Sequence, residues 1–399
     1  MSISSVLLKA ALLLYTFTQL INATTKPQFV YVGNAGDDSI SVFVVTSNGT
    51  LKPLEPSVAS PLCGMPSLLA TAGHVLLAGG EYTAVCSGPD LGGATVYVYP
   101  IQLSGKLGTV SVSYLNDVES IAVDQSGKLA FASGASFNPH AEAASINGWN
   151  VSKGNLDTLP SSPTNFFNFE TGNGFLPSGL AVSPNAKFLY ATFSKYSNYN
   201  NVGDGQLGVL SLLLDGGIGS FVNNPVPGCK GAKISGGGNQ VATVTLKSKI
   251  VIYQSCLKGA AVNIAGTPVI GLTVINPSTG RIEKTYEAFL PPSKTSLVPI
   301  TVDPTGHWLA ASNGEGKIDV LAIDQSTGRL SEPPHHMFNV DANGVAFDHT
   351  GRFLYAAQTK NNVVAAFGFD SQTGNVNLPS LGKQGTGPAP TVVVVAQPQ

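Results

Sequence analysis

The stretch that decides the fold runs Val302-Asp303-Pro304-Thr305-Gly306-His307-Trp308-Leu309-Ala310-Ala311, and a close copy runs Phe347-Asp348-His349-Thr350-Gly351-Arg352-Phe353-Leu354-Tyr355-Ala356. A second matching pair follows, Ile318–Gly328 and Val363–Gly374, each an apolar strand ending in a Thr-Gly turn. The copies lie about 45 residues apart, and a period of that length with several strands per copy is typical of a β-propeller blade. The repeat therefore predicts an all-β propeller of four-stranded blades.

Composition agrees with many short strands joined by tight turns. The chain has 399 residues, 43% of them hydrophobic and only 11% charged, with 45 glycines and 26 prolines. This is enough apolar material for a large core, and a repeat protein of this length is commonly one domain. The formal net charge of -2 gives no electrostatic case for binding nucleic acid.

The first residues have the pattern of a secretory signal peptide. Lys9 is the only early charge, and the apolar stretch 10–21 precedes Ala23, a residue suited to precede a cleavage point. That stretch is too short to span a bilayer comfortably. We therefore predict a signal peptide over 1–23, a short linker over 24–28 and the propeller over 29–399, in a secreted protein, extracellular or periplasmic, with no membrane span.

Four cysteines fit an oxidising destination. Cys63 and Cys86 flank one expected strand hairpin, and Cys229 and Cys256 flank another. The start of the first strand of a hairpin lies beside the end of the second, so this spacing predicts disulfides 63–86 and 229–256 at the same corner of two blades. Four free thiols or other pairings remain the alternatives, and neither pair has the spacing of a zinc site.

The strand units predict seven blades. Each blade runs from an inner strand A to an outer strand D, and the A–B turn is the clearest marker, opening with Asp or Ser as at Asp124, Ser183, Asp303 and Asp348. Phe29–Val32 has the character of a B strand with no A strand before it. The valines of Thr391–Val395 supply that strand, so the two chain ends are expected to close the ring in one blade.

The same assignment separates two faces of the ring. The A–B and C–D turns lie on one face, which we call the turn face; the B–C connections and the D–A crossovers lie on the other, the loop face. Four consecutive B–C connections are predicted to be long: 81–93, 136–143, 195–204 and 255–268. Insertions gathered on one face of a rigid scaffold favour a binding surface, although long surface loops can also be simply tolerated.

At this point the chain resembles the lactonase-type seven-bladed propellers, the family of 6-phosphogluconolactonases, carboxymuconate-cyclising enzymes and secreted YVTN-repeat proteins. Tyr31-Val32-Gly33-Asn34, the Asp-x-Thr-Gly turns, Leu189–Thr192 and Leu354–Ala357 carry the likeness. The resemblance implies this fold and, in the family's enzymes, a channel-mouth cluster of His, Arg and acidic side chains acting on anionic lactones. Here the three arginines, Arg281, Arg329 and Arg352, fall in turns of the turn face, so the family's chemistry is not expected in its usual form.

Two groups of loop-face residues could still carry chemistry. A His–Glu pair can activate water for attack on a lactone carbonyl, and Lys195 or backbone donors can hold the oxyanion. A solvated loop pair is the plainer interpretation. The residues in question are His140, Glu142, Glu81 and Glu315 as catalytic candidates, and Tyr82, Lys195, Tyr196, Tyr199 and Asn313 as ligand-binding candidates, because rings and amides suit saccharides or peptides.

His335 and His336 follow two prolines and are expected in a D–A crossover, within reach of the same rim. The leading hypothesis is a binding scaffold for a small molecule, saccharide or protein at the loop face. The competing one is a divergent lactone hydrolase using His140 and Glu142. No cofactor and no metal are expected, and the protein is expected to be a monomer.

Overall fold

Strands account for nearly all regular structure in a computed structural model of the chain. The structure describes residues 26–54, 58–59, 66–80, 95–114, 118–135, 144–152, 155–160, 162, 164–168, 173–197, 200–201, 205–229, 241–258, 267–289, 299–312, 316–332 and 334–398. Within these ranges the strands form seven separate sheets, each with at least four strands. The predicted seven-bladed all-β propeller is therefore confirmed.

Blades I to III are built as follows, from the axis outward. Blade I has β32 (Pro390–Ala396), β1 (Phe29–Asn34), β2 (Ser39–Val45) and an outer strand in two pieces, β3 (Leu51–Pro53) and β4 (Val58–Ala59). Blade II has β5 (Leu68–Ala72), β6 (Val75–Gly79), β7 (Thr95–Pro100) and β8 (Ser111–Tyr114). Blade III has β9 (Val118–Val123), β10 (Leu129–Ala135), β11 (Ala144–Ser152) and, outermost, β12 (Asn155–Thr158) and β13 (Thr164–Asn165).

Blades IV to VII complete the ring. Blade IV has β15 (Asn173–Val182), β16 (Phe188–Ser197), β18 (Gly205–Leu212) and β19 (Ile218–Cys229), with short pieces β14 (Phe167–Asn168) and β17 (Asn200–Asn201). Blade V has β20 (Val241–Leu246), β21 (Lys249–Lys258), β22 (Thr267–Ile275) and β23 (Ile282–Phe289). Blade VI has β24 (Ile300–Val302), β25 (Trp308–Ser312), β26 (Lys317–Ala322) and β27 (His336–Asn339). Blade VII has β28 (Gly344–Phe347), β29 (Phe353–Gln358), β30 (Val363–Asp370) and β31 (Asn375–Gly385), with a 3-10 turn at Thr359–Asn361.

Both chain ends meet in blade I, as predicted. β32 pairs antiparallel with β1, so that Val393 lies opposite Val32 and Val395 opposite Val30. Gln28 adds a polar link across the seam to blade VII, because its Nε2 donates to Asp348 Oδ2 at 3.2 Å and its Oε1 accepts the backbone N–H of His349 at 2.9 Å. Because the ring is closed, every blade packs against a neighbour on each side.

The core lies between the blades rather than in one central mass. Successive side chains of a strand point to opposite sides of its sheet, so both sides of every blade are buried and the strands run apolar. In blade VI, for example, Ile318 and Val320 pack against blade VII, whereas Leu309 and Leu321 pack against blade V. A separate cluster of this kind fills each of the seven seams.

A buried tyrosine in strand B ties several blades to their neighbours. The hydroxyls of Tyr31, Tyr253 and Tyr355 each donate to the carbonyl of a turn glycine in the next blade, at 2.8, 2.7 and 3.2 Å. Burial raises the pKa of all three hydroxyls, so they remain donors throughout the physiological range.

The disulfide joins two blades instead of one hairpin. Cys229 and Cys256 are bonded, as predicted, with their Cα atoms 6.4 Å apart. The expected position was wrong, because Cys229 ends the outer strand of blade IV and Cys256 lies in strand B of blade V. The inner strand of blade V is β20, later in the chain than the expected Ala232–Ile234. Cys63 and Cys86 lie outside the described residues, so that pairing stays a prediction.

Candidate functional site

The inner strands surround a central channel of about 470 Å³. These strands are mostly edge strands of their sheets, so backbone amides face the axis alongside the side chains. The side chains are valines, alanines and leucines with a few hydroxyls and an amide, among them Ser120, Thr243, Thr301 and Gln125. None of the lining side chains that the structure describes is ionisable. Such walls suit a neutral ligand that can both donate and accept hydrogen bonds.

A belt of buried polar side chains lies under the loop face. Its members occupy the loop-face ends of strands B and C, where a purely apolar core would be expected. They are Asn34, Ser41, Ser133, Asn147, Thr192, Gln254, Ser312, Asp319 and Gln358, each at most 9% exposed. Ser312 Oγ, for example, donates to the carbonyl of Ala342 in the crossover that leads to blade VII.

Sequence reasoning named none of the belt residues as a site residue, and Asp319 is the charged one among them. It is fully buried in strand C of blade VI, opposite Ala311, while its neighbours Ile318 and Val320 face the core. Among the described residues it is the one buried carboxylate on the loop-face side, since the other buried aspartates, Asp124, Asp303 and Asp348, occupy A–B turns. The sequence did carry a sign of this residue, because Asp319 is a charged residue inside an apolar strand. Such a residue ordinarily has a function or a specific partner.

Most predicted site residues lie outside the described part of the chain. These are His140, Glu142, Glu81 and Glu315 of the catalytic set, and Tyr82, Tyr199 and Asn313 of the binding set. Their proximity therefore stays a prediction. The described strands do fix where their connections begin, because β6, β10, β16 and β25 all end at the loop face.

Lys195 and Tyr196 were expected in a loop but lie in a strand. β16 continues to Ser197, with Lys195 opposite Phe175 and Tyr196 opposite Gly174 of strand A. The same correction applies to 255–258 and 267–268, which belong to β21 and β22. The expected loops were too long because the strand pairing in blades IV and V extends toward the loop face beyond the last apolar residues.

His335 and His336 were also misplaced. His336 begins β27, the outer strand of blade VI, opposite Val320, and the ring of His335 contacts Trp308 with 4.7 Å between centroids. Both therefore lie toward the turn face, because strand D begins there. They do not reach the channel rim on the loop face.

The turn face holds all three arginines, as the strand assignment predicted. Arg281 and Arg329 occupy C–D turns and Arg352 an A–B turn. Arg329 and Lys284 both lie over the ring of Tyr286, at 4.6 and 4.5 Å from its centroid, an arrangement typical of cation–π contacts. No guanidinium of this chain is therefore placed to clamp an anion at the loop face.

Ionisable groups on the turn face take part in hydrogen bonds in and beside the turns. The Ser326 and Thr327 hydroxyls and backbone N–H groups that bond Asp324 hold the pKa of its carboxyl well below its usual range. Burial lowers the pKa of His349, a change partly offset by a hydrogen bond with the backbone of Val395. Within the described ranges, no group of three or more His, Cys, Asp or Glu side chains could hold a metal ion.

The fold defines a seven-bladed propeller closed by strands from both termini, with a channel whose described lining is uncharged. Comparison with known proteins shows which proteins the chain is similar to. The family model "Lactonase, 7-bladed beta-propeller" matches residues 271–395. The 6-phosphogluconolactonase of Blochmanniella pennsylvanica is 29% identical over 90 residues, a match covering 22% of this chain and only 27% of that protein. The chain is a seven-bladed propeller, and the resemblance to the lactonase-type propellers given by the turn motifs is confirmed by these matches.

Solved structures show the same fold over nearly the whole chain. The periplasmic gluconolactonase of Pseudomonas aeruginosa has a TM-score of 0.67 at 16% identity, covering 93% of this chain and 100% of its own. A protein of Lactobacillus plantarum has a TM-score of 0.63 at 14% identity, covering 92% and 99%. At these identities the likeness concerns the fold alone. In the described residues, no helix is long and apolar enough to cross a membrane.

Proposed function

We propose that this protein is a secreted binding propeller whose loop face recognises a small neutral polar ligand, such as a saccharide, at the mouth of the channel. The observation that carries the proposal is the chemistry of the channel lining together with the position of the arginines. Among the described residues that line the channel none is ionisable, and the three guanidinium groups of the chain lie on the turn face. A neutral ligand loses less hydration on entering such a site than an anion would.

Secretion is the setting for this function. The predicted signal peptide over 1–23 would send the chain to an oxidising compartment, and the Cys229–Cys256 disulfide fits that compartment. The periplasmic location of the Pseudomonas aeruginosa gluconolactonase is consistent with this proposal but concerns that protein.

The binding proposal is tested by calorimetric titration of the purified protein with matched pairs of neutral and phosphorylated sugars. We expect the neutral member of each pair to bind more tightly. Tyr196→Ala, at the loop-face end of β16, should weaken binding, whereas Tyr286→Ala, on the turn-face half of blade V, should not. Tighter binding of the phosphorylated sugar, equal losses in the two variants, or no binding at all would overturn the proposal.

A second candidate is lactone hydrolysis, favoured by the family match over 271–395 and by the 6-phosphogluconolactonase relative. In this hypothesis His140 and Glu142, with Glu81 and Glu315, would activate water. Release of acid from sugar lactones measures turnover. His140→Ala should abolish it, and His307→Ala, an exposed histidine of the turn face, should leave it unchanged. Such a result would replace the non-catalytic proposal, and a wild-type protein without turnover would eliminate hydrolysis.

A further inference from the structure

The C–D turn of blade I contains a motif for covalent modification. Asn48-Gly49-Thr50 matches the sequon Asn-x-Ser/Thr, in which x is not proline, and Asn150-Val151-Ser152 of blade III matches it as well. A third match, Asn22-Ala23-Thr24, lies outside the described residues, and the predicted cleavage after Ala23 would divide it. The mature chain would therefore keep two sequons, and the structure places them in different surroundings.

The sequon of blade I forms the exposed tip of a tight turn. The N–H of Gly49 donates to the carbonyl of Thr46 at 2.9 Å, and the N–H of Thr46 donates to the carbonyl of Thr50 at 2.9 Å. Gly49 has a φ of +84°, and a Cβ there would come within 2.2 Å of the ring of Phe353, so conformation and packing both require glycine. Asn48 itself is exposed. The sequon is therefore held at the surface of the folded protein.

This turn brings the amide and the hydroxyl of the sequon together. The hydroxyl of Thr50 donates to Asn48 Oδ1 at 2.8 Å, and the backbone N–H of Thr50 lies 3.3 Å from the same oxygen. The hydroxyl of Thr46 also reaches this oxygen, at 2.5 Å. Among the described residues, the amide nitrogen Nδ2 of Asn48 has no hydrogen-bond partner. The side chain is therefore held through its oxygen, and its nitrogen is left available.

The turn structure needs only that oxygen. In blades VI and VII, C–D turns are held by the carboxylates of Asp324 and Asp370, which accept the backbone N–H groups of Thr327 and Gln372 at 2.7 and 2.9 Å. An aspartate in place of Asn48 could accept from Thr50 in the same way. The amide nitrogen of Asn48 is thus the part of the side chain that the turn does not use, and it is the atom to which an N-linked glycan is joined.

The sequon of blade III lies in a strand, where the same two groups are held apart. Asn150 and Ser152 belong to β11, which pairs with β10 on one side and β12 on the other. Residues two apart along a strand are separated by roughly 7 Å, so the hydroxyl of Ser152 does not reach the amide of Asn150. Asn150 is exposed, as Asn48 is, so the two sequons differ in backbone conformation rather than in exposure.

We propose that Asn48 is an N-glycosylation site and that Asn150 is not. The reaction joins Asn48 Nδ2 to the anomeric carbon of a sugar and breaks the bond between that carbon and the diphosphate of a polyisoprenyl-linked oligosaccharide donor. Nδ2 loses one proton, and the lipid diphosphate leaves. The backbone and side-chain hydrogen bonds of the turn all lie within residues 46–50, so the turn can form locally, before the blades pack.

This modification rests on the secretion proposed above, because the glycan donor belongs to the secretory pathway, but it does not rest on the ligand of the channel mouth. Asn48 lies in a C–D turn on the turn face, whereas the proposed ligand site lies on the loop face. A glycan is bulky and keeps the surface around it solvated. Attached at Asn48, it would leave the loop face open.

The full-length chain is expressed in a eukaryotic host, once with its own residues 1–23 and once with a host signal peptide in their place. Protein from the medium and from the cells is treated with peptide N-glycosidase, which converts a glycosylated asparagine to aspartate. Gel electrophoresis measures the loss of mass, and peptide mapping by mass spectrometry locates the converted residue. We expect the loss of a single glycan and conversion of Asn48.

Asn48→Asp keeps the acceptor oxygen of the turn and removes the amide nitrogen, so it should lose the whole mass shift. Asn150→Asp is the matched control and should keep the shift unchanged. Thr50→Ser retains the hydroxyl that bonds Asn48 and should keep the glycan, whereas Thr50→Val has nearly the same shape without the hydroxyl and should lose it.

The site is overturned if Asn48 carries no glycan behind either signal peptide, if Asn150 is occupied as fully as Asn48, or if Thr50→Val keeps the glycan. A glycan at Asn48 behind the host signal peptide alone would support the site and count against the secretion proposed for the chain with its own residues 1–23. Failure of the site and failure of secretion are therefore distinguished by the two forms of the chain.

Discussion

The carboxylate of Asp348 organises a whole turn and part of a seam. Its Oδ1 accepts the backbone N–H groups of Arg352 and Phe353 at 2.7 and 2.8 Å, and its Oδ2 accepts from Thr350 and from Gln28. Asp303 repeats the pattern in blade VI. The repeated geometry explains why these A–B turns open with aspartate: a short side chain at this position can satisfy several turn donors at once.

At this scale we predict that Asp348→Ala lowers the free energy of unfolding by about 2–4 kcal/mol, because several buried donors lose their acceptor. Urea unfolding followed by circular dichroism measures the loss. Asp348→Asn keeps one acceptor oxygen, so its free energy of unfolding should lie between those of Asp348→Ala and the wild type. Ser183, which occupies the same turn position in blade IV and bonds Lys187 and Phe188 through its hydroxyl, offers Ser183→Ala as a milder comparison. Equal stability of Asp348→Ala and wild type would show that water replaces these bonds.

At the scale of the strand, sequence reasoning worked where turn chemistry marks the ends and failed where it does not. Asp124 and Asp303 locate A–B turns, and the strands beside them lie as expected. The long strands β16 and β21 run on through polar residues such as Lys195 and Ser255, whose pairing depends on neighbouring strands rather than on local propensity. Asp319 was missed for a related reason, since its burial is set by the blade around it.

The disulfide gives the element-scale prediction. Cys229 and Cys256 belong to different blades. In the unfolded chain, the bond between them keeps the segment of the outer strand of blade IV close to that of strand B of blade V. For a separation of 27 residues, reduction should cost about 3.5 kcal/mol of unfolding free energy. Urea midpoints with and without a phosphine reductant measure this cost.

The double variant Cys229→Ala, Cys256→Ala serves as the control and should not respond to the reductant. Its stability should be no higher than that of the reduced wild type, because both sulfur atoms are fully buried and their removal leaves a cavity. A wild-type midpoint that does not move on complete reduction would mean that the seam of blades IV and V already restrains these strands without the bond.

At the scale of the whole molecule, stability depends on a strand that comes from the far end of the chain. β32 pairs with β1 along its length, and its valines enter the clusters on both sides of blade I, Val392 toward blade II and Val393 and Val395 toward blade VII. Removing β32 would expose the edge of β1 and two seams together. We therefore expect the seven blades to unfold as one cooperative unit, even though each cluster lies between only two of them.

We predict that a chain ending at Ala389 loses the cooperative thermal transition, because blade I then lacks its inner strand and two of its clusters are opened to water. Adding a synthetic peptide of residues 390–398 should restore the transition and bind with one-to-one stoichiometry, measured by circular dichroism and calorimetry. A peptide carrying Val394→Pro should fail, because Val394 lies opposite Tyr31, whose backbone groups face β32, and proline has no N–H to donate in this pairing. If the shortened chain melted like the wild type, the ring would have to be closed by contacts other than β32.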